Sequence, residues 1–83
     1  METRIALIGM IVTDTSHSTE LNALLTEYGQ YIIGRMGIPH HKHGDDEVAI
    51  ISIAIEAPQT VISALSGKLG MLNGVSAKVI YAG

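Results

Sequence analysis

The chain has 83 residues and a formal net charge of −3, and it contains no cysteine, no tryptophan and no phenylalanine. This length allows one small domain, and the missing cysteines exclude disulfides, thiolate metal sites and a cysteine nucleophile. The five lysine and arginine residues are scattered, which argues against direct binding of nucleic acid by this chain.

The sequence also gives expectations about location. No apolar run approaches the ~20 residues that a membrane-spanning helix needs. The first residues show neither a cationic leader nor a small-residue cleavage site, so we expect no signal peptide. A chain without cysteines is compatible with the cytoplasm, and a cytoplasmic protein without membrane contact is therefore expected.

Apolar runs and turn residues predict the element order β-α-β-β-α-β. Residues 4–12 and 48–56 are apolar on both alternating faces, which is typical of strands that are covered on both sides. The other two strands are predicted at 31–39 and 75–81.

Each predicted helix has a start signal and an apolar stripe. Asp14 or Ser16 is the expected N-cap of the first helix, which we expect Gly29 to end. The second helix begins at Pro58 and ends near Gly70. The two stripes consist of Leu21, Leu24, Leu25 and Tyr28 in the first helix and of Val61, Ile62, Leu65 and Leu69 in the second.

A polar turn is predicted between the second and third strands. Pro39 lacks the N–H that a sheet ladder uses, so we expect it to end the second strand. Residues 40–46 then form the turn, in which Gly44 supplies a positive φ.

The element order is also a twofold repeat of β-α-β. Right-handed crossovers convert it into one α+β domain over residues 1–83, a ferredoxin-like βαββαβ sandwich. Its antiparallel sheet has the strand order 4-1-3-2, and both helices cover the same face.

Two helices leave one face of this sheet uncovered, although both central strands are apolar on both sides. One set of alternating residues contains Ile8, Met10, Ile51 and Ile53, and the other contains Leu7, Ile11, Ile50 and Ala54. Because monomers rarely expose large apolar patches, we expect a homo-oligomer, a dimer or a dimer of dimers. The alternative is a monomer with a solvated aliphatic face.

Three segments of the chain look familiar together. They are YGQYIIGRMGIP at 28–39, AIISI at 49–53, and ALSGKLG at 64–70 followed by GVSAK at 74–78. Together they resemble the regulator family of the iron-only hydrogenase system, over nearly the whole chain. The resemblance implies a small ACT-like domain, similar in fold to the C-terminal sensor domain of nickel-responsive regulators, and a regulatory role.

The second strand carries the residues expected to bind a small-molecule effector. Its glycines leave space and its arginine supplies charge for an anion or a carboxylate. The predicted ligand-binding residues are Gly34, Arg35, Met36 and Gly37. The alternative interpretation of Arg35 is an edge-strand charge that discourages aggregation, or an ion pair between subunits.

The predicted turn gives a second hypothesis, a metal-binding sensor. Imidazole and carboxylate donors suit Zn²⁺, Ni²⁺ or Co²⁺, and the candidate ligands are His40, His41 and His43, followed by Asp45, Asp46 and Glu47. The family resemblance does not require these histidines, so no role is transferred to them. A solvated polar loop and an adventitious metal are the alternatives, and a true site would be completed by a second copy.

No sequence feature indicates catalysis. The chain shows no nucleophile–base pair, no paired carboxylates and no cofactor fingerprint. We therefore expect no cofactor and no enzyme activity, and the leading hypothesis is a homo-oligomeric, ligand-sensing regulatory module.

Overall fold

The computed structural model describes residues 2–83, which form four strands, two α-helices and two short 3₁₀ turns. The strands are β1 (Arg4–Val12), β2 (Ile32–His43), β3 (Asp46–Ala57) and β4 (Val75–Tyr81). The helices are α1 (Ser18–Glu27) and α2 (Gln59–Gly70), and the 3₁₀ turns, Thr15–His17 and Gly29–Tyr31, flank α1.

The four strands form one antiparallel sheet with the order β2-β3-β1-β4. The predicted ferredoxin-like topology is therefore confirmed. β1 lies in the middle, where it pairs with β3 from Arg4 opposite Ala57 to Val12 opposite Ala49. β2 and β4 are the two edge strands.

Both helices pack on the same face of the sheet, and the core lies between the two layers. Alternate side chains of β1 and β3 are buried there, because successive residues of a strand point to opposite faces of the sheet. The predicted stripes supply the other side of the core: Leu21 and Leu25 are buried in α1, and Ile62, Leu65 and Leu69 are buried in α2. The buried side chains form one aliphatic cluster.

The start of α1 differs from the prediction by one short turn. The Oδ1 atom of Asp14 accepts hydrogen bonds from the backbone N–H and the hydroxyl of Ser16, at 3.0 and 2.6 Å. Asp14 therefore caps the 3₁₀ turn, and α1 begins at Ser18 without a side-chain cap of its own. The helix ends at Glu27, two residues before Gly29.

The prediction of a polar turn at 40–46 was wrong. β2 continues to His43 and β3 begins at Asp46, so the connection consists of Gly44 and Asp45 alone. Pro39 does not end β2, because the register shifts between Ile38 and His41 and an edge strand tolerates proline at such an irregularity. Gly44 has a φ of 65°, as expected for its position in the loop.

The hairpin formed by β2 and β3 therefore extends beyond the rest of the sheet. The pairing of β1 with β3 ends at Ala49, and residues 39–48 form a two-stranded extension past that point. Within residues 2–83, no helix has the length and apolar character that crossing a membrane requires.

Candidate functional site

The sheet face opposite the helices is covered with exposed aliphatic side chains. We call it the open face, and its large apolar residues are Ile5, Leu7, Ile11, Met36, Ile38, Ile50 and Ile80. These side chains keep between 40% and 74% of their surface exposed. The expectation that the second apolar set of the central strands would be uncovered is confirmed.

The centre of the open face is a continuous aliphatic row. Ile11 of β1 lies opposite Ile50 of β3, and Ile50 lies opposite Ile38 of β2. Side chains directly opposite each other in an antiparallel sheet are ~5 Å apart, so Ile50 is the cross-strand neighbour of both Ile11 and Ile38. Ser76 and Lys78 of β4 lie on the same face toward its edge and give it a polar rim.

The molecule exposes more surface than its mass predicts. A compact monomer of 8.8 kDa has an accessible surface of roughly 4,800 Å², whereas this chain exposes 5365 Å². The open face and the hairpin extension contribute to this excess of accessible surface, since neither is packed against another element. Patches of this kind on a small protein mark interaction sites.

A groove lies on the other side of the sheet, between α1 and the β2–β3 edge. Its volume is about 530 Å³. Its apolar lining includes the buried side chains of Val12, Leu21 and Ile51. The polar groups that line the groove are Thr15, Ser18, Asn22, Arg35 and His40.

Arg35 is held at the groove by α1. Its Nη1 donates a hydrogen bond of 3.2 Å to the Oδ1 of Asn22. The Nδ2 of Asn22 donates in turn to the carbonyl oxygen of Ser18 at 2.9 Å, which fixes the orientation of the amide. Among residues 2–83, no carboxylate forms an ion pair with Arg35.

The structure divides the four predicted ligand-binding residues between the two faces of the sheet. Arg35 and Gly37 line the groove. Gly34 lies opposite Ala54 and Met36 opposite Ser52, so both belong to the open face. One small molecule in the groove can therefore contact Arg35 and Gly37 directly, but not the side chain of Met36. The ligand-binding role of all four stays a prediction.

Sequence reasoning missed the groove residues that α1 and the 3₁₀ turn before it contribute. Thr15 lies in that turn and Ser18 and Asn22 lie in α1, at polar positions beside the predicted stripe, where side chains are ordinarily solvated. One signal in the sequence could have indicated them: they lie near Leu21, which is the first buried residue of the helix, and therefore near the side of the helix that packs on the sheet. That position alone does not show that β2 lies next to them.

The three candidate metal ligands lie on the last residues of β2 rather than in a loop. His40 lines the groove and its Nδ1 is 3.6 Å from the Oε2 of Glu47. His41 and His43 lie opposite Val48 and Asp46 in the ladder. In the described part of the chain, no three His, Asp or Glu side chains are grouped so that they could hold a metal ion. One copy alone does not form the predicted metal site, and a site completed by a second copy stays a prediction.

Comparisons with known proteins agree with this architecture. The solved structure of a protein described as uncharacterized protein TM1266 from Thermotoga maritima is similar over 99% of this chain and 100% of its own, with 28% identity and a TM-score of 0.86. Two structures of CPII, a nitrogen regulatory PII-like protein from Thiomonas intermedia K12, share the fold alone. The one bound to ADP, AMP and bicarbonate has 16% identity and a TM-score of 0.56, with all of both chains covered.

The second CPII structure, bound to ADP, AMP and acetate, has 17% identity and a TM-score of 0.59, and it covers 100% of this chain and 93% of its own. A comparison with curated proteins gives no match. Residues 4–79 match the TM1266-like family model, whose description is "Iron-only hydrogenase system regulator, putative". The resemblance seen in the sequence is thus confirmed, and the chain belongs to the TM1266-like family of iron-only hydrogenase system regulators.

Proposed function

We propose that this chain is a non-catalytic regulatory module of the iron-only hydrogenase system, which assembles with a second copy through the open face and binds a small effector in the groove. The family description supports the regulatory class. The aliphatic row on the open face is the observation that carries the proposal, because a regulatory chain without catalysis must act through contacts with other molecules.

The size and composition of the open face suit a second copy. Four strands ~4.8 Å apart and about nine residues long cover roughly 550 Å² in projection. Accessible surface exceeds projection, so the face approaches the ~800 Å² per partner of a standard interface. Its aliphatic centre and its rim with Ser76 and Lys78 also match interface anatomy. In a twofold dimer, the open face of one copy packs on the open face of the other.

The groove and the open face are two sides of the same pair of strands. Gly37 lies opposite Ile51, and both line the groove. The next pair in the ladder, Ile38 opposite Ile50, belongs to the open face. An effector that shifts β2 relative to β3 therefore moves the central side chains of the interface, and the two binding events are coupled.

The groove gives no support to an enzymatic alternative. Thr15 and Ser18 supply hydroxyls and His40 supplies an imidazole at the same cavity. In the described residues, however, no hydrogen bond joins either hydroxyl to His40, whose Nδ1 faces Glu47 instead. A nucleophile without a base in hydrogen-bond reach is not activated.

Light scattering coupled to size-exclusion chromatography tests the assembly. We expect the wild type to be a dimer or a tetramer at about 10 μM, and Ile50→Lys to raise the dissociation constant at least about tenfold by placing a charge in the interface. Met71→Lys is the matched control, since Met71 is 84% exposed at the end of α2, away from the sheet.

A wild type that runs with a mass near 8.8 kDa even at about 1 mM would contradict the proposal. So would an Ile50→Lys variant that assembles as well as Met71→Lys. Circular dichroism of both variants shows that the charge has not unfolded the chain, because Ile50 is 40% exposed and lies outside the core.

A further inference from the structure

We propose that the groove takes a small carboxylate with an apolar body, whose carboxylate pairs with Arg35 and whose body lies over Leu21 and Ile51. The inference rests on the proposed function in one respect, that the groove is the effector site. It adds the chemical class of the effector. Its support comes from the charge, the lining and the space of the groove.

Arg35 is a cation without an anion. A guanidinium has five N–H donors, and one bond to the neutral amide of Asn22 at 3.2 Å uses one of them. Arg4 stacks on Tyr81 at 4.1 Å and donates to a glutamine, and Lys68 contacts Glu27 and Tyr28. Lys42 and Lys78 also form no ion pair within residues 2–83, but neither of them lines the groove. Arg35 thus combines a place at a cavity with N–H donors that no carboxylate occupies within residues 2–83, which is the arrangement that an external anion would use.

The lining indicates an anion of one charge. Within the described residues, Arg35 is the one lysine or arginine among those that line the groove. The imidazole of His40 already faces the carboxylate of Glu47 at 3.6 Å. One planar guanidinium matches one carboxylate, with two parallel hydrogen bonds. Phosphates of a nucleotide carry more charge and are usually bound by several cations or by a glycine-rich loop at a helix start, a motif that this sequence lacks.

The rest of the lining is apolar and the space is sufficient. Val12, Leu21 and Ile51 are buried side chains that border the cavity. Its volume of about 530 Å³ lies within the range of small-molecule sites. Gly37 adds no side chain to the groove. A Cβ at this position would lie 3.2 Å from the carbonyl oxygen of Ile50 and 3.7 Å from the Cγ1 of Ile51. An apolar body beside the carboxylate fits this surface.

Titration followed by amide NMR spectra tests the inference with known probes. The carboxylates are hexanoate and benzoate, and hexanamide and benzamide are their neutral counterparts. We expect at least one carboxylate to shift the amide signals of Ser18, Asn22 and Gly37 saturably, and both amides to bind at least about tenfold more weakly. ADP and inorganic phosphate, as probes of phosphate binding, should not compete.

Three variants locate the charge. Arg35→Met should weaken carboxylate binding about tenfold or more, and Arg35→Lys should weaken it less, because it keeps the charge and loses the planar fork. Lys42→Met removes the same charge from the hairpin extension, where it lines neither the groove nor the open face, and serves as the matched control, with affinity unchanged within about twofold.

Failure of both carboxylates to bind, equal binding of the amides, or equal affinity in Arg35→Met would overturn the inference. Binding of ADP or phosphate that is tighter than that of the carboxylates and depends on Arg35 would overturn it as well. The mass of the same samples separates the two proposals. Carboxylate binding without any change of assembly would contradict the proposed coupling and still support the site. Assembly without carboxylate binding would support the proposed assembly and contradict the carboxylate site.

Discussion

The guanidinium of Arg35 donates a hydrogen bond of 3.2 Å to the Oδ1 of Asn22, and this contact joins the edge strand β2 to helix α1. The amide of Asn22 is itself held by the carbonyl oxygen of Ser18. Arginine has a flexible side chain that loses rotamer entropy when it binds a ligand. A contact that already restricts it lowers this cost.

Asn22 is therefore expected to act as a positioning residue for Arg35. We predict that Asn22→Ala lowers the affinity for hexanoate or benzoate about threefold to tenfold, because the guanidinium becomes mobile. The free energy of unfolding should change by less than about 1 kcal/mol, since Asn22 is exposed. Calorimetric titration and urea unfolding measure the two quantities.

The matched control for Asn22→Ala is Thr26→Ala. Thr26 is exposed on the same helix and does not line the groove. Its replacement should leave carboxylate binding unchanged. A loss of affinity in both variants would attribute the effect to the helix rather than to the contact with Arg35.

Ile50 and Ile53 lie three positions apart in β3 and on opposite faces of the sheet. We predict that replacing Ile53 mainly lowers the stability of the chain, whereas replacing Ile50 mainly weakens the assembly. Ile53 is fully buried among the core side chains, so Ile53→Ala should cost about 2–5 kcal/mol of unfolding free energy. Ile50→Ala removes a half-exposed side chain and should cost roughly 1 kcal/mol or less in the separated chain, while weakening the assembly. Urea unfolding at low protein concentration and light scattering compare the two.

Equal unfolding costs for the two alanine variants would contradict the assignment of the faces. An Ile50→Ala variant with unchanged assembly and a large loss of stability would also contradict it, because Ile50 would then belong to the core. The comparison is well controlled, since both variants remove the same atoms from the same strand.

The architecture was predictable because apolar runs and helical stripes encode it directly. The runs of β1 and β3 are apolar on both faces, so the strand positions, the central place of these strands and the bare face all follow from the pattern of residues. The stripes of α1 and α2 likewise determined which residues would be buried. In the connection between β2 and β3, only the positive φ of Gly44 was predicted, because glycine tolerates that conformation.

The hairpin extension could not be found in that way. Its residues are polar, and its ladder pairs Lys42 with Glu47 and His43 with Asp46. Such pairs contribute backbone hydrogen bonds and opposite charges without any apolar pattern. Pro39 pointed to a strand end, but the register shift beside it lets the edge strand continue.

The groove was only half predictable. The sequence indicated that Arg35 places a charge in an apolar strand and that Gly37 leaves space for a ligand. The contact of Arg35 with Asn22 spans 13 positions and depends on how α1 lies across β2. Packing of a helix on a sheet edge is a tertiary property, and no local spacing records it.

Gly74 is placed where a side chain cannot be accepted. Its φ is 77°, and a Cβ at this position would lie 2.8 Å from the backbone nitrogen of Asp14. The carbonyl oxygen of Gly74 also accepts a hydrogen bond of 2.7 Å from the N–H of Thr13, which joins the ends of β1 and β4. Gly74→Ala should therefore lower the free energy of unfolding by at least about 2 kcal/mol.

Gly67→Ala is the matched control for Gly74→Ala. Gly67 lies inside α2, and nothing stands within 4 Å of a Cβ added there. This variant should raise stability by roughly 0.5–1 kcal/mol, because alanine is the better helix former. Thermal and urea unfolding of the two variants should move in opposite directions, and a shared direction would contradict the local geometry.

Asp14 gives a pH dependence whose sign is defined. The hydroxyl of Ser16 and then its backbone N–H donate to the carboxylate, and these bonds hold the pKa of Asp14 below its ordinary value of 3.8. A carboxyl whose pKa is lower in the folded chain contributes stability that is fully present above the unfolded value. That contribution is lost as the pH falls from 3.8 through the lower pKa of the folded state.

We predict that Asp14→Asn reduces the part of the stability loss that the wild type shows between about pH 5 and pH 2. The asparagine oxygen can still accept from the Ser16 N–H, so the turn itself is retained. Urea midpoints measured across this range give the slope, and Asp45→Asn, which removes the same charge at the hairpin loop, is the matched control. An Asp14→Asn slope equal to that of the wild type, or a slope changed as much by Asp45→Asn, would show that the hydrogen bonds of Ser16 do not link protonation to folding.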